Sequence, residues 1–131
     1  MPEKHTQMLV ILDAGQVVLH QRPASGIWGG LVSLPEVDGH LPIADMAPMV
    51  EALTRAATCF GAVEEIAPLL PLVHVFTHYK LHIQPYRVVL GERRPLPAGY
   101  AWYDMDRIEQ AALPSPVKKL LAELAVPTLF S

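Results

Sequence analysis

Three histidines stand four residues apart in LVHVFTHYKLHI, residues 72–83: His74, His78 and His82. Imidazoles at one spacing suggest three chemistries: ligands to a metal ion, a general base with its helpers, or polar groups on a surface that reads something. On a helix, a spacing of four would align two rings for zinc. This stretch alternates instead. Val73, Val75, Leu81 and Ile83 share one parity and the histidines the other, which predicts a strand with the histidines opposite the aliphatic side chains. At ~3.3 Å per residue, neighbouring histidines are then about 13 Å apart, too far to share one ion. No carboxylate or thiolate lies within the stretch to complete a site, so no metal ligand is assigned. No serine or cysteine nucleophile is tied to these positions by a recognisable motif, so no catalytic residue is assigned either. The alternation fails at Phe76-Thr77-His78, where an aromatic joins the polar parity and a hydroxyl the apolar one. Such a break predicts a kink or loop tip between two strands, and tips on a rigid scaffold are where recognition residues sit.

The elements that must carry this tip lie on both sides of it. QMLVILD and QVVLHQR are β-rich runs, and Asp13, Ala14 and Gly15 between them predict a hairpin turn. RPASGIWGGLVSLPE, rich in glycine and proline, predicts a loop leading into a short strand near Leu31–Leu34. A helix is expected over residues 46–60, with Asp45 as N-cap and Gly61 at the C-cap. Its apolar positions are Met46, Met49, Val50, Leu53, Ala57 and Phe60. Strand-like runs return at 69–76, 79–90 and 100–104. SPVKKLLAELA predicts a last helix, with Ser115 as N-cap, Pro116 at the first helical position, and Leu120, Leu121 and Leu124 as its apolar stripe. The expected fold class is α+β, a mixed β-sheet with about two α-helices.

Composition bounds the rest. A chain of 131 residues reads as one domain, residues 1–131, with residues 1–6 expected to be a linker remnant or cloning start. With 51% hydrophobic and 18% charged residues the balance is that of a globular protein. A single cysteine, Cys59, rules out a disulfide framework and a cysteine cluster for zinc or iron–sulfur, and suits a reducing cytoplasm. No apolar run approaches the ~20 residues of a membrane span. The net charge of −3 argues against a strong nonspecific grip on nucleic acid, which needs phosphate-neutralising lysines and arginines.

Gly30, five residues, then Glu36 in GGLVSLPE is the opening of the Nudix signature, G-x5-E-x7-R-E-U-x-E-E-x-G-U. In Nudix hydrolases a paired glutamate on the following helix holds Mg²⁺, because the ion needs hard oxygen ligands projecting from one turn. Here Thr58 and Cys59 stand where that pair belongs when the helix end is aligned at Gly61. Sliding the frame to Glu64-Glu65 puts Ala67 in place of the glycine and Phe60-Gly61 in place of Arg-Glu. The Nudix-like fold is expected, and its hydrolytic chemistry is not.

LHQRPASGIWGGLVSLPE and HVFTHYKLHI together resemble the C-terminal domain of the MutY-type adenine DNA glycosylases, with patterns near Q-R-P-x-x-G-[IL]-W-G-G-L and H-x-F-[ST]-H-x-x-L. LPSPVKKLL resembles the family's last helix, so the likeness spans about residues 7–125. The resemblance implies a noncatalytic, Nudix-like domain that recognises 8-oxoguanine opposite mispaired adenine in double-stranded DNA. It also implies a cytoplasmic, nucleoid-associated setting. Excision, and the family's iron–sulfur cluster, belong to a separate N-terminal catalytic domain, the expected partner of this chain. No cofactor is expected in this chain itself. The resemblance points to Phe76, Thr77 and His78 as the recognition residues, with threonine where the family more often has serine. Lys80 is a candidate for backbone phosphate, and His74, Arg22 and Trp28 are candidates for DNA-backbone contact or loop support. His82 is expected to serve on the sheet surface, and Arg93-Arg94 to be a solvated charge pair. Two other readings stay open: a Nudix hydrolase of oxidised nucleotides, and a protein-interaction module.

Overall fold

The computed structural model describes residues 1–37 and 46–125. Strand β1 (Glu3–Asp13) is central because its residues are apolar on both parities: Met8 and Val10 face one way, Leu9 and Ile11 the other, and all four are buried. β1 turns into β2 (Gln16–Gln21) with Asp13 opposite Gln16. Ala14 and Gly15 have φ of 47° and 76°, the left-handed pair that suits a two-residue hairpin, so the expected turn is present. The chain then forms β3 (Val32–Ser33), β4 (Glu36–Val37), α1 (Met46–Ala57), β5 (Gly61–Pro68), β6 (Leu72–Val75), β7 (Lys80–Arg93) and β8 (Tyr100–Asp104). A 3-10 segment (Met105–Gln110) leads to α2 (Ser115–Ala125).

Among the described residues the strands make one mixed eight-stranded sheet, with the path β3-β2-β1-β7-β5. β4 adds to β1, β6 to β7 and β8 to β2. β1 and β7 run parallel from Glu3 opposite Lys80 to Leu12 opposite Val89, and the other pairs are antiparallel. One face of the sheet packs Met8, Val10, Val17, Leu19, Leu81 and Ile83 against Val117, Leu120 and Leu121 of α2. The other packs Leu9, Ile11, Val18, Tyr86 and Val88 against Met49, Leu53 and Ala57 of α1. Helices on both faces of one sheet explain why its central strands lack a polar side.

Several expectations need correcting. Glu3–Thr6, read as part of a linker, are strand residues paired with Lys80–Ile83. Helix α1 ends at Ala57 rather than at residue 60, and Gly61 does not cap it: Gly61 opens β5. The expected N-cap, Asp45, lies outside the described residues. β5 had no counterpart among the expected elements, because register shifts at Ala62/Val63 and Val63/Glu65 break the alternation that marks a strand. At α2 the Lys118 N–H donates to the Pro114 carbonyl at 2.9 Å, so Pro114 holds the cap position and Ser115 the first helical one. Arg93 and Arg94 are no solvated pair. Arg93 donates from Nε to Asp13 Oδ2 (2.5 Å) and from Nη2 to Gln16 Oε1 (2.8 Å), and its guanidinium covers the Trp102 ring at 3.8 Å. Arg94 donates to the Thr58 carbonyl at 2.6 Å.

Candidate nucleic-acid interface

β6 and β7 form a hairpin whose register sets Val75 against Lys80, His74 against Leu81, Val73 against His82 and Leu72 against Ile83. Every pair joins an even residue to an odd one, so the faces exchange parity at the turn. Val73 and Val75 are 56% and 58% exposed, whereas Leu81 and Ile83 are 6% and 1% exposed. The expected placement of all three histidines on one face, opposite the aliphatic residues, is therefore wrong. His74 lies on the α2 side with the core, His82 on the opposite side, and His78 in the turn. A single uninterrupted strand was the assumption that failed.

The turn falls at the break in the alternation. The Phe76 N–H donates to the Tyr79 carbonyl at 2.8 Å, leaving Thr77 and His78 exposed between them. The rings of Phe76 and Tyr79 stack with centroids 4.6 Å apart, and Lys4 Nζ lies 4.5 Å from the Tyr79 centroid. His74 meets Phe76 edge-on at 4.6 Å. Trp28 closes the cluster, 5.8 Å from Phe76 and 6.1 Å from His74. Burial pushes the Tyr79 phenol above its ordinary value, with the Arg22 charge pulling the other way, so the ring stays neutral at physiological pH. Phe76 is half-buried among these rings and packs on the α2-side core, so it braces the tip from within.

The tryptophan arrives on a tightly folded loop. Trp28 has φ of 53°, a left-handed conformation unusual for a bulky residue. Gly30 N–H donates to the Pro23 carbonyl (2.9 Å), Leu31 N–H to the Trp28 carbonyl (3.1 Å) and Arg22 N–H to the Leu31 carbonyl (2.8 Å). The Arg22 guanidinium donates to the Ile27 carbonyl (3.3 Å) and pairs with Glu36 (3.3 Å). Arg22 and Glu36 thus serve to hold the loop, and Glu36 of the Gly30-x5-Glu36 spacing has a structural partner. Lys80 is exposed at the start of β7. His82 stacks on His5 with centroids 4.6 Å apart and sits 2.8 Å from Glu3 Oε1. Tyr79, Lys4 and His5 were missed from sequence. Tyr79 was signalled by its symmetry with Phe76 across the turn, whereas Lys4 and His5 arrive through a parallel pairing that no local pattern announces.

Among the described residues, the positions where the Nudix glutamate pair is expected hold no such pair on a helix. Thr58 and Cys59 follow α1, and the Cys59 thiol, raised by burial, points at the Ala56 carbonyl. Glu64 and Glu65 are on β5 beside its bulge rather than on a helix, and Glu65 pairs with Arg87 at 3.2 Å. Among the described residues no three His, Cys, Asp or Glu side chains are grouped to hold a metal, and no helix is long and apolar enough to cross a membrane.

Comparison with known proteins agrees with this geometry. The model of the NUDIX domain family matches residues 7–123. The human adenine DNA glycosylase is 31% identical over 110 residues, covering 80% of this chain, which spans about a fifth (20%) of that protein's length. The structure of the C-terminal domain of mouse MUTYH, solved in complex with human PCNA, superposes with a TM-score of 0.67 at 23% identity, covering 95% of this chain and 90% of that one. A MutT NUDIX hydrolase from Burkholderia pseudomallei superposes with a TM-score of 0.68 at 18% identity, covering 95% and 99%. The α+β fold is thus shared by hydrolases and by the glycosylase domain, and the relative with 31% identity is a glycosylase. This chain belongs to the NUDIX domain family and is similar to the C-terminal domain of MutY-type adenine DNA glycosylases.

Proposed function

We propose that this chain is the noncatalytic lesion-recognition domain of an adenine DNA glycosylase, reading 8-oxoguanine opposite mispaired adenine while a separate catalytic region excises the adenine. The observation that carries the reading is the Thr77-His78 tip, two exposed polar residues held out by an aromatic cluster. Guanine N7 is a hydrogen-bond acceptor on the groove edge. In 8-oxoguanine N7 carries a proton and C8 a carbonyl, so a reader needs an acceptor for the first and a donor for the second. The Thr77 hydroxyl supplies the acceptor and its backbone N–H the donor. His78 and Lys80 take backbone phosphate, which positions without specifying. Phe76, Tyr79, His74 and Trp28 keep the tip in one shape, which lowers the ordering cost of binding. The net charge of −3 implies weak binding by the isolated chain, with affinity raised when it is linked to the catalytic region.

Labelled 8-oxoguanine:A and G:C duplexes titrated against the chain, alone and fused to a MutY-type catalytic region, test this. The fusion is expected to prefer the lesion duplex, and Thr77→Ala to reduce that preference about fivefold, the value of roughly one hydrogen bond. Because Thr77 is exposed, its stability should stay within about 0.5 kcal/mol of the parent. Equal binding of both duplexes by the fusion would overturn the reading. Without a glutamate pair on a helix, no Mg²⁺-dependent hydrolysis of 8-oxo-dGTP is expected; metal-dependent turnover would favour the hydrolase instead.

A further inference from the structure

Beside the tip, the α1-side face of the sheet continues past the reach of α1 as Glu3, His5, Lys80 and His82. The parallel register sets Glu3 against Lys80 and His5 against His82. The two imidazoles stack with planes 12° apart, and His82 Nε2 lies 2.8 Å from the Glu3 carboxylate. On β6 the same face offers only Val73 and Val75, which bring no charge. Although the whole chain is acidic, this face holds Lys80, His5 and His82 against one acid, Glu3. An ammonium next to stacked imidazoles is donor-rich and cationic, the chemistry that a phosphodiester requires. Two protonated rings in face-to-face contact repel each other, and an anion at their edge relieves that repulsion. Glu3 holds the place at His82 that such an anion would take.

We propose that His5 and His82 extend the Lys80 contact along the phosphate backbone of duplex DNA, and that Glu3 restrains this extension by competing with phosphate for His82. The proposal rests on reading the neighbouring tip as a DNA-recognition surface. The hydrogen bond from His82, and then its charge, hold the Glu3 carboxyl below the usual carboxylate range, with Lys80 and His5 adding to the effect. Glu3 is therefore anionic throughout the neutral range. Removing the Glu3 carboxylate frees His82 Nε2 to donate to phosphate.

Fluorescence anisotropy with lesion and undamaged duplexes, over a range of salt, separates the two ideas. Glu3→Gln is expected to tighten both duplexes roughly two- to fivefold, leaving their ratio unchanged. Combined with Glu3→Gln, the double variant His5→Ala, His82→Ala is expected to lose that gain and to lower the salt slope by about one. Circular dichroism checks that each variant folds. A lesion preference that persists while neither change alters affinity or salt slope overturns the backbone contact and leaves the tip reading standing. Equal binding of both duplexes with those effects intact overturns the tip reading alone. No binding to either duplex overturns both.

Discussion

Replacing Trp28 by alanine is expected to lower the unfolding free energy by about 2–3 kcal/mol and to lose most of the lesion preference, although Trp28 makes no DNA contact in the proposed mode. The ring is half-buried on the α2-side core and closes the cluster that supports Phe76 and His74. A fully buried tryptophan truncated to alanine costs about 3–5 kcal/mol, and partial exposure lowers that figure. The variant keeps the unfavourable φ of 53°, because the hydrogen bonds from Gly30 to Pro23 and from Leu31 to Trp28 still bend the loop. It therefore retains the strain and loses the packing. Phe76 and His74 then lose their backing, and Thr77 samples more positions than the one that meets the base edge. Urea unfolding measures the first effect, and the duplex titration of the fusion measures the second. Trp28→Phe restores an aromatic wall and should recover more than half of both. A Trp28→Ala variant that is as stable as the parent, or that keeps its full lesion preference, would remove the cluster from the account of recognition.

How far the site was legible in the sequence depends on which interactions make it. The turn at Phe76-Thr77-His78 was readable because a two-residue reversal must break strict alternation, and the break is local. The same reversal hid the sidedness of the histidines, since parity on one strand says nothing about parity after a turn. The Ala14-Gly15 hairpin and the α2 stripe were readable for the same local reason. β5 was not, because its bulge scrambles the period of two just where two glutamates also mask its apolar positions. The Glu3–His5–His82 cluster is built by residues 77 or more apart across a parallel pairing, and only a fold can bring those together. The tightness of Arg93 against Asp13, Gln16 and Trp102 belongs to the same class: three contacts set by the sheet, and none by neighbours in sequence.

Gly61→Ala is the other large effect expected, a loss of about 2–3 kcal/mol with the lesion preference intact. Gly61 is buried at the start of β5, opposite Arg93, and a Cβ there would fall on the carbonyl oxygen of Glu92. The same atom would lie 3.0 Å from Leu90 Cδ1 and 3.2 Å from the Arg93 Cα, so backbone must move to admit a methyl group. Moving it pulls on Phe60, whose carbonyl accepts from Arg94, and on the Arg93 guanidinium that ties Asp13 and Gln16. The tip lies at the opposite end of β7, about 40 Å away at ~3.3 Å per residue along the strand. A folded Gly61→Ala protein should therefore bind the lesion duplex as the parent does, at a temperature where both are native. Gly15→Ala supplies the contrast. Gly15 needs its φ of 76° but has open space around it, so alanine there should cost only about 1 kcal/mol of left-handed strain. If the two variants lost equal stability in urea, the steric demand at Gly61 would be small, and the close approach of β5 to β7 would not be what selects glycine there.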